Sequence, residues 1–409
     1  MQYLFTERAH LMCPNMCFGI TRVVRQPYHD DRIRTCFDKL SAAHPFLNAK
    51  LGCQENSNTY YYKVTDHSCV ELLLKNQEVE SIDDPKIMEE YRRLSGYDWN
   101  LMEEGMLKLA AWRLGEDCCF LLVFHHLLAD GRGALMLAEE LADVYASFRQ
   151  PKYAEETLIS SANDFPKDSR MPFISRILVN RANKAWAKEL KEGSHQNISY
   201  QEYHAFADEF LTKDPVRHTA TRMTSEELEE IRVLCHKHQV TVNDYLLAKL
   251  MMEEDTGKVI LACDLRDRLA CYQEGALGNY STAFSIECRK KDQSLWSLAQ
   301  AAHAEVQKKM NQPAELYLVL RCYAALDPGL LDAAFISCRG DFPGRAAQFV
   351  GGMFFGFNKA EGYSITNLGR IESESITSAY FIPPASPAVR KTQGVLTVNN
   401  VLTICSSER

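Results

Sequence analysis

The sequence predicts an α/β fold built as two units of similar size, and three observations lead there. Short apolar, β-branched runs alternate along the chain with segments of helical spacing. A polar, proline-bearing stretch interrupts the pattern before its midpoint. At 409 residues the chain is too long for one typical domain. Hydrophobic content of 46% with 24% charged residues is that of an ordered globular protein. A net charge of -8 argues against general nucleic-acid binding, while leaving room for a local basic patch facing an anionic ligand. The 14 cysteines are scattered without a CxxC pair, which fits reduced, buried thiols of an intracellular protein. No signal-peptide pattern opens the chain, and no run approaches the roughly 20 apolar residues of a membrane span, so a cytoplasmic location is expected.

In chain order, Cys17 to Val24 reads as a first strand. Asp30 or Asp31 is positioned to cap a helix carrying Ile33, Phe37 and Leu40, which His44-Pro45 ends. Tyr60 to Val64 and Cys69 to Leu74 have strand character, and Asp83 to Asn100 reads as a polar, partly helical surface segment. Leu107 to Leu114, the turn Gly115-Glu116-Asp117 and the apolar run Cys118 to Phe124 suggest an antiparallel hairpin. After it, Leu137, Leu141, Val144, Tyr145 and Phe148 line one face of a helix. From Gln150 to about Pro172 the composition turns polar, with Pro151, Pro166 and Pro172. This divides the chain into 1–160 and 175–409, with 161–174 as linker.

Arg170 to Leu190 reads as a connecting helix and Gly193 to Lys213 as a polar excursion. Thr224-Ser225-Glu226-Glu227 caps a helix bearing Leu228, Ile231, Leu234 and Cys235. Val240-Thr241-Val242-Asn243 introduces a helix from Asp244 to Glu253, and Lys258 to Asp264 is an apolar strand running into Asp264-Leu265-Arg266-Asp267-Arg268. Leu277-Gly278-Asn279-Tyr280 opens a strand ending near Cys288, and Leu295 to Met310 is helical. Phe349 to Phe357 mixes aromatics with three glycines, compatible with close backbone packing or a mobile crossover, and with a core stripe or the wall of an apolar pocket. Tyr363 to Gly369 is a short strand ending at a turn, and Gly394 to Cys405 a further strand-like run.

The chemistry-bearing stretch is His125-His126-Leu127-Leu128-Ala129-Asp130-Gly131, at the junction of a hydrophobic strand and a helix. Adjacent residues on a strand point to opposite sides, so one imidazole faces a cavity and the other packs behind it. A histidine is the natural general base near neutral pH. Asp130 could hold a histidine tautomer, pair with a distant arginine, or simply cap the next helix. Gly131 permits close approach of a ligand or backbone. Two structural histidines with a capping aspartate is the competing reading. A zinc site would need a third ligand, and the spacing matches no metal signature, so no metal is expected.

The stretch resembles the HHxxxDG signature of the chloramphenicol acetyltransferase-like superfamily, which includes nonribosomal peptide condensation domains, alcohol acetyltransferases, plant acyltransferases and polyketide-associated acyltransferases. His44-Pro45-Phe46-Leu47 resembles a common HPxL segment, and Val240 to Asp244 the start of a second-domain helix. Asp264-Leu265-Arg266 resembles the arginine-bearing strand end, and Asn367-Leu368-Gly369 the later active-site strand of free-standing members. The plant branch's Asp-Phe-Gly-Trp-Gly is absent, and Gly351 to Phe357 stands in its place. This departure disfavours that branch.

The resemblance implies two chloramphenicol acetyltransferase-like α/β sandwich domains around an interdomain tunnel, with a further helix after the last strand. It implies His126 as general base, His125 as its support, and Asp130 paired with Arg266, for which Arg268 is the weaker candidate. Asn367, Thr366 and Ser364 become candidates for the oxyanion or substrate, and Asn279 and Tyr280 for the tunnel lining. The reaction implied is transfer of an acyl group from a phosphopantetheine thioester, on coenzyme A or an acyl carrier protein, to an alcohol or amine, as in natural product biosynthesis. No tightly bound cofactor and a monomeric state are expected. A non-catalytic member that binds an acyl carrier or ligand is the alternative, and an interaction protein on the same scaffold a third.

Overall fold

The structure, a computed structural model, describes residues 2–54, 57–288, 294–356 and 362–409. A five-stranded sheet has the spatial order Ile376–Ile382, Cys17–Val24, Asp117–His125, Leu107–Leu114, Glu71–Glu78. The hairpin predicted at Gly115-Glu116 pairs Leu114 with Asp117 and makes Asp117–His125 the central strand. Residues Cys118 to Phe124 are fully buried, because helices cover a strand already paired on both edges. The strand Cys17–Val24 runs antiparallel to it, with Cys17 opposite His125, so the double histidine stands where the sheet ends. Helix Gly131–Ser147 then turns back over the sheet with Leu137, Leu141, Val144 and Tyr145 buried, while Phe148 leaves the core as an exposed left-handed C-cap.

A six-stranded sheet has the order Ser281–Glu287, Lys258–Asp264, Gly362–Ile371, Val389–Val398, Val401–Glu408, Arg217–Met223. A third sheet of three short strands, Gln2–Tyr3, Tyr60–Val64 and Ala49–Cys53, flanks the first unit. The strand Ile376–Ile382 comes from the second half of the chain yet pairs with Cys17–Val24, so the chain crosses between sheets late in its course. No helix among the described residues is long and apolar enough to cross a membrane.

Several elements differ from the sequence reading. Asp30 and Asp31 lie inside the first turn of their helix, where His29 is the N-cap and no side chain caps; they act on the helix dipole instead. The segment read as polar surface holds helix Pro85–Ser95, whose Ile87, Tyr91 and Leu94 are buried. The excursion after Gly193 contains helix Tyr200–Lys213, opened by a capping box between Ser199 and Glu202. The run Gly394 to Cys405 is two strands, folded at Asn399-Asn400, both residues having the positive φ of a tight hairpin turn. The capping box at Thr224 and Glu227 forms as read.

The glycine-aromatic stretch is helix Arg345–Phe355 as far as it lies within the described residues; Phe357 lies outside them. Close packing explains its glycines. A Cβ on Gly351 would stand 1.8 Å from the carbonyl oxygen of Ala334 in helix Pro328–Cys338. Gly351→Ala should therefore force the helices apart and lower stability by about 1–3 kcal/mol in chemical unfolding. An unchanged midpoint would contradict this packing.

Candidate active site

The central strand leaves its sheet at the double histidine, where the amide of His126 donates to the carbonyl of Met16 at 2.9 Å. The two rings diverge. His125 is buried beside Trp99, and its Nδ1 accepts from the Leu127 amide at 3.2 Å. Burial, with the neighbouring His126, lowers its pKa to about 3, so it stays neutral and holds the turn.

His126 reaches a cavity and is clasped at two points by Asn279. The Asn279 Nδ2 donates to the His126 carbonyl at 2.7 Å, and its Oδ1 lies 2.8 Å from His126 Nδ1. A carbonyl can only accept, which fixes the amide's orientation; Oδ1 then needs a donor, so Nδ1 carries the proton. Nε2 is left as the basic nitrogen. Burial lowers the pKa of His126 below the ordinary 6.5, partly offset by Asp130 and the Asn279 bond. His10 stacks on the ring at 4.5 Å between centroids, and Phe18 meets it edge-on at 5.3 Å. Burial first, then the neighbouring histidines, keeps His10 neutral too.

His10 was not legible as a site residue. It belongs to the short helix Thr6–His10, pinned by a buried pair in which Arg8 Nε donates to Asp332 at 2.7 Å. No local pattern near residue 10 announces a partner more than a hundred residues away.

Asp130 both caps and pairs. Its Oδ1 accepts from the Gly133 amide at 2.9 Å and from Arg266 Nη2 at 2.8 Å. Its Oδ2 accepts from Arg266 Nη1 at 3.1 Å and from the Tyr280 amide at 2.8 Å. Burial alone would raise this carboxyl, but Arg266 and the amide donors hold it below the ordinary 3.8. Arg266 is held charged by the same pair despite burial and also bonds Asp264 at 2.9 Å. Arg268 instead donates to the Met310 carbonyl. Gly131 serves packing: a Cβ there would come within 2.8 Å of Leu368 in strand Gly362–Ile371.

The cavity, about 550 Å³, lies where the end of the five-stranded sheet meets one face of the six-stranded sheet. Ser364 and Thr366 line it with His126, and Ser364 donates to Thr392 at 2.9 Å. Strand alternation turns Asn367 to the other side. It is exposed, accepting from the Gly369 amide at 2.9 Å, in the turn role such a residue ordinarily has. Tyr280 is buried away from the cavity, packed under Arg266, with its hydroxyl on the Thr157 carbonyl. Asn279 touches His126 itself, a role nearer the ring than lining a tunnel. The remaining walls are mostly apolar, and among the described residues Lys258 is the one charged side chain on them. Among the described residues, no group of three or more His, Cys, Asp or Glu is placed to hold a metal.

Two α/β units of the chloramphenicol acetyltransferase type, meeting at a cavity that a motif histidine enters, define the architectural class. The model of the condensation-domain family matches residues 20–257, and the chain belongs to that family. Over 188 residues, 43% of this chain, it is 30% identical to surfactin synthase subunit 1 of Bacillus subtilis (strain 168), and it spans 5% of that protein's length. The whole chain superposes on polyketide synthase associated protein 5 from Mycobacterium tuberculosis, covering 92% of it, with TM-score 0.59 and 14% identity. It likewise superposes on the first condensation domain of the CDA synthetase, covering 91% of that chain, with TM-score 0.59 and 12% identity.

Proposed function

We propose that the protein is an acyltransferase that moves an acyl group from a phosphopantetheine thioester, on coenzyme A or an acyl carrier protein, to an alcohol or amine. The observation that carries this reading is the Asn279 clasp, which leaves His126 Nε2 unprotonated at the cavity. In this mechanism Nε2 takes the proton of the acceptor as its oxygen or nitrogen attacks the thioester carbonyl. The tetrahedral intermediate collapses with cleavage of the C–S bond, and the proton passes from His126 to the departing thiolate. Thr366 is the hydroxyl donor available to the oxyanion, since the Ser364 proton is given to Thr392. The acyl thioester is a consumed substrate, and no resident cofactor enters the scheme. The described residues lining the cavity are mostly apolar, which suits an aliphatic acyl chain.

Purified protein incubated with acyl-coenzyme A and acyl-carrier pools plus cell extract should yield an acylated product by mass spectrometry, absent with His126→Ala. Equal product from both proteins would overturn the base assignment. No product from either would favour a binding member without catalysis.

Asn279→Ala removes both clasping bonds. Each is worth about 1 kcal/mol, so kcat should fall roughly 10- to 100-fold with KM little changed. Because the Asn279 bond raises the His126 pKa, its loss should move the acidic limb of the rate profile to lower pH. A wild-type profile with an unchanged kcat would show that the clasp does not position the base.

A further inference from the structure

Helix Phe173–Lys191 forms part of the cavity wall through Leu178, Val179 and Ala182. Its outward face is exposed and divided. Ile174 and Ile177 open that face, at 72% and 40% exposure, and Arg181, Lys184 and Lys188 continue it at helical spacing. Phe173 is 66% exposed, with the Arg176 guanidinium 5.5 Å from its ring centre. On the adjoining helix Arg345–Phe355, Phe349 and Met353 line the cavity and are themselves exposed. Of twelve exposed large apolar side chains among the described residues, these two helices carry five. Solvation of scattered residues does not explain a cluster on the two helices that wall one cavity.

Charge singles out the same place. Residues 167–191 hold seven basic side chains against two acidic ones, in a chain of net charge -8. An exposed apolar cluster beside a run of basic side chains is a surface to which anionic headgroups are attracted, with the rings and aliphatic groups free to enter the headgroup region.

We propose that this surface docks the protein on an anionic lipid bilayer and seats the cavity mouth against the membrane, so that an apolar substrate enters from lipid. Phe349 and Met353 belong both to the exposed apolar cluster and to the cavity wall, a path an apolar molecule could follow with little exposure to water. A carrier protein also has affinity for basic surfaces, but it delivers its thioester on a flexible arm and needs no apolar apron at the mouth. Docking is read by binding alone, so its failure would leave the acyl-transfer reading standing.

The test is co-sedimentation of the full chain with vesicles of phosphatidylcholine and of phosphatidylcholine with phosphatidylglycerol, at low and high salt. Wild type should sediment with the anionic vesicles at low salt, remain free with the neutral ones, and be released as salt screens the attraction. Ile174→Glu with Ile177→Glu, and separately Arg181→Glu with Lys184→Glu, should each lower the partition coefficient at least roughly tenfold. All four positions face solvent, and an unchanged thermal midpoint would show the variants folded. Failure of wild type to bind anionic vesicles, or equal binding by both folded variants, would overturn the proposal. So would binding of purified acyl carrier protein, lost in these variants, without vesicle binding.

Discussion

Replacing His126 by alanine is expected to lower kcat/KM for acyl transfer by about 10²- to 10⁴-fold, the range that general-base catalysis supplies. The ring lies at the cavity, stacked on His10 and clasped by Asn279, so its removal takes away the proton acceptor without touching the buried strand behind it. The thermal midpoint should move little, which separates loss of chemistry from loss of fold. The wild-type profile carries a second expectation. A base works when unprotonated, and burial holds the His126 pKa below 6.5. The rate should therefore fall only on the acid side of that value and stay level across neutral pH. A limb centred above 6.5, or activity unchanged in His126→Ala, would remove His126 from the mechanism.

Arg266→Ala should cost about 3–5 kcal/mol of folding stability, because it strands the buried Asp130 carboxylate. The pair ties the start of helix Gly131–Ser147 to the end of strand Lys258–Asp264, so activity should fall with stability. In the wild type, Arg266 and the amides depress the folded-state pKa of Asp130. Its stabilising contribution is then complete above the unfolded-state value of about 4 and is lost as pH falls through the folded value. With Arg266 gone, burial dominates and the Asp130 pKa rises. The variant's deficit should then widen as pH rises from about 4 toward neutral. Asp130→Ala with Arg266→Ala should cost less than the two single changes together, since no unpaired charge remains. Additive losses in urea unfolding would mean that the pair is not energetically coupled.

The legible parts of the site were those written locally. A buried apolar run, two histidines, an acid and a glycine before a helical stripe placed His126 at a strand end, and the divergence of its neighbour followed from the period of two. The same period explains the fate of the second-unit candidates. Ser364 and Thr366 share the face that meets the cavity, and Asn367 cannot share it. That outcome depends on which face of Gly362–Ile371 looks inward, and the strand's half-buried pattern does not say. Asp130 satisfied two readings at once, because a carboxylate has enough lone pairs to cap a helix and accept a guanidinium. Its partner 136 residues away was indicated only by resemblance. Helix Tyr200–Lys213 carries a start signal in Ser199 and Glu202, but the polarity of the segment masks it in the sequence.

By itself the sequence determined elements whose signals are short-ranged: the hairpin, the helix capped at Thr224, the α/β alternation and the motif histidine at its strand end. Tertiary structure alone decided that strand Ile376–Ile382 joins the sheet of the opening segment, that His10 stacks on His126, and that Asn279 sets its tautomer. Backbone dihedrals, caps and hydrophobic period act over a few residues and leave their mark in adjacent letters. A hydrogen bond spanning 153 residues exists only once two sheets have packed, and no neighbouring residue encodes it.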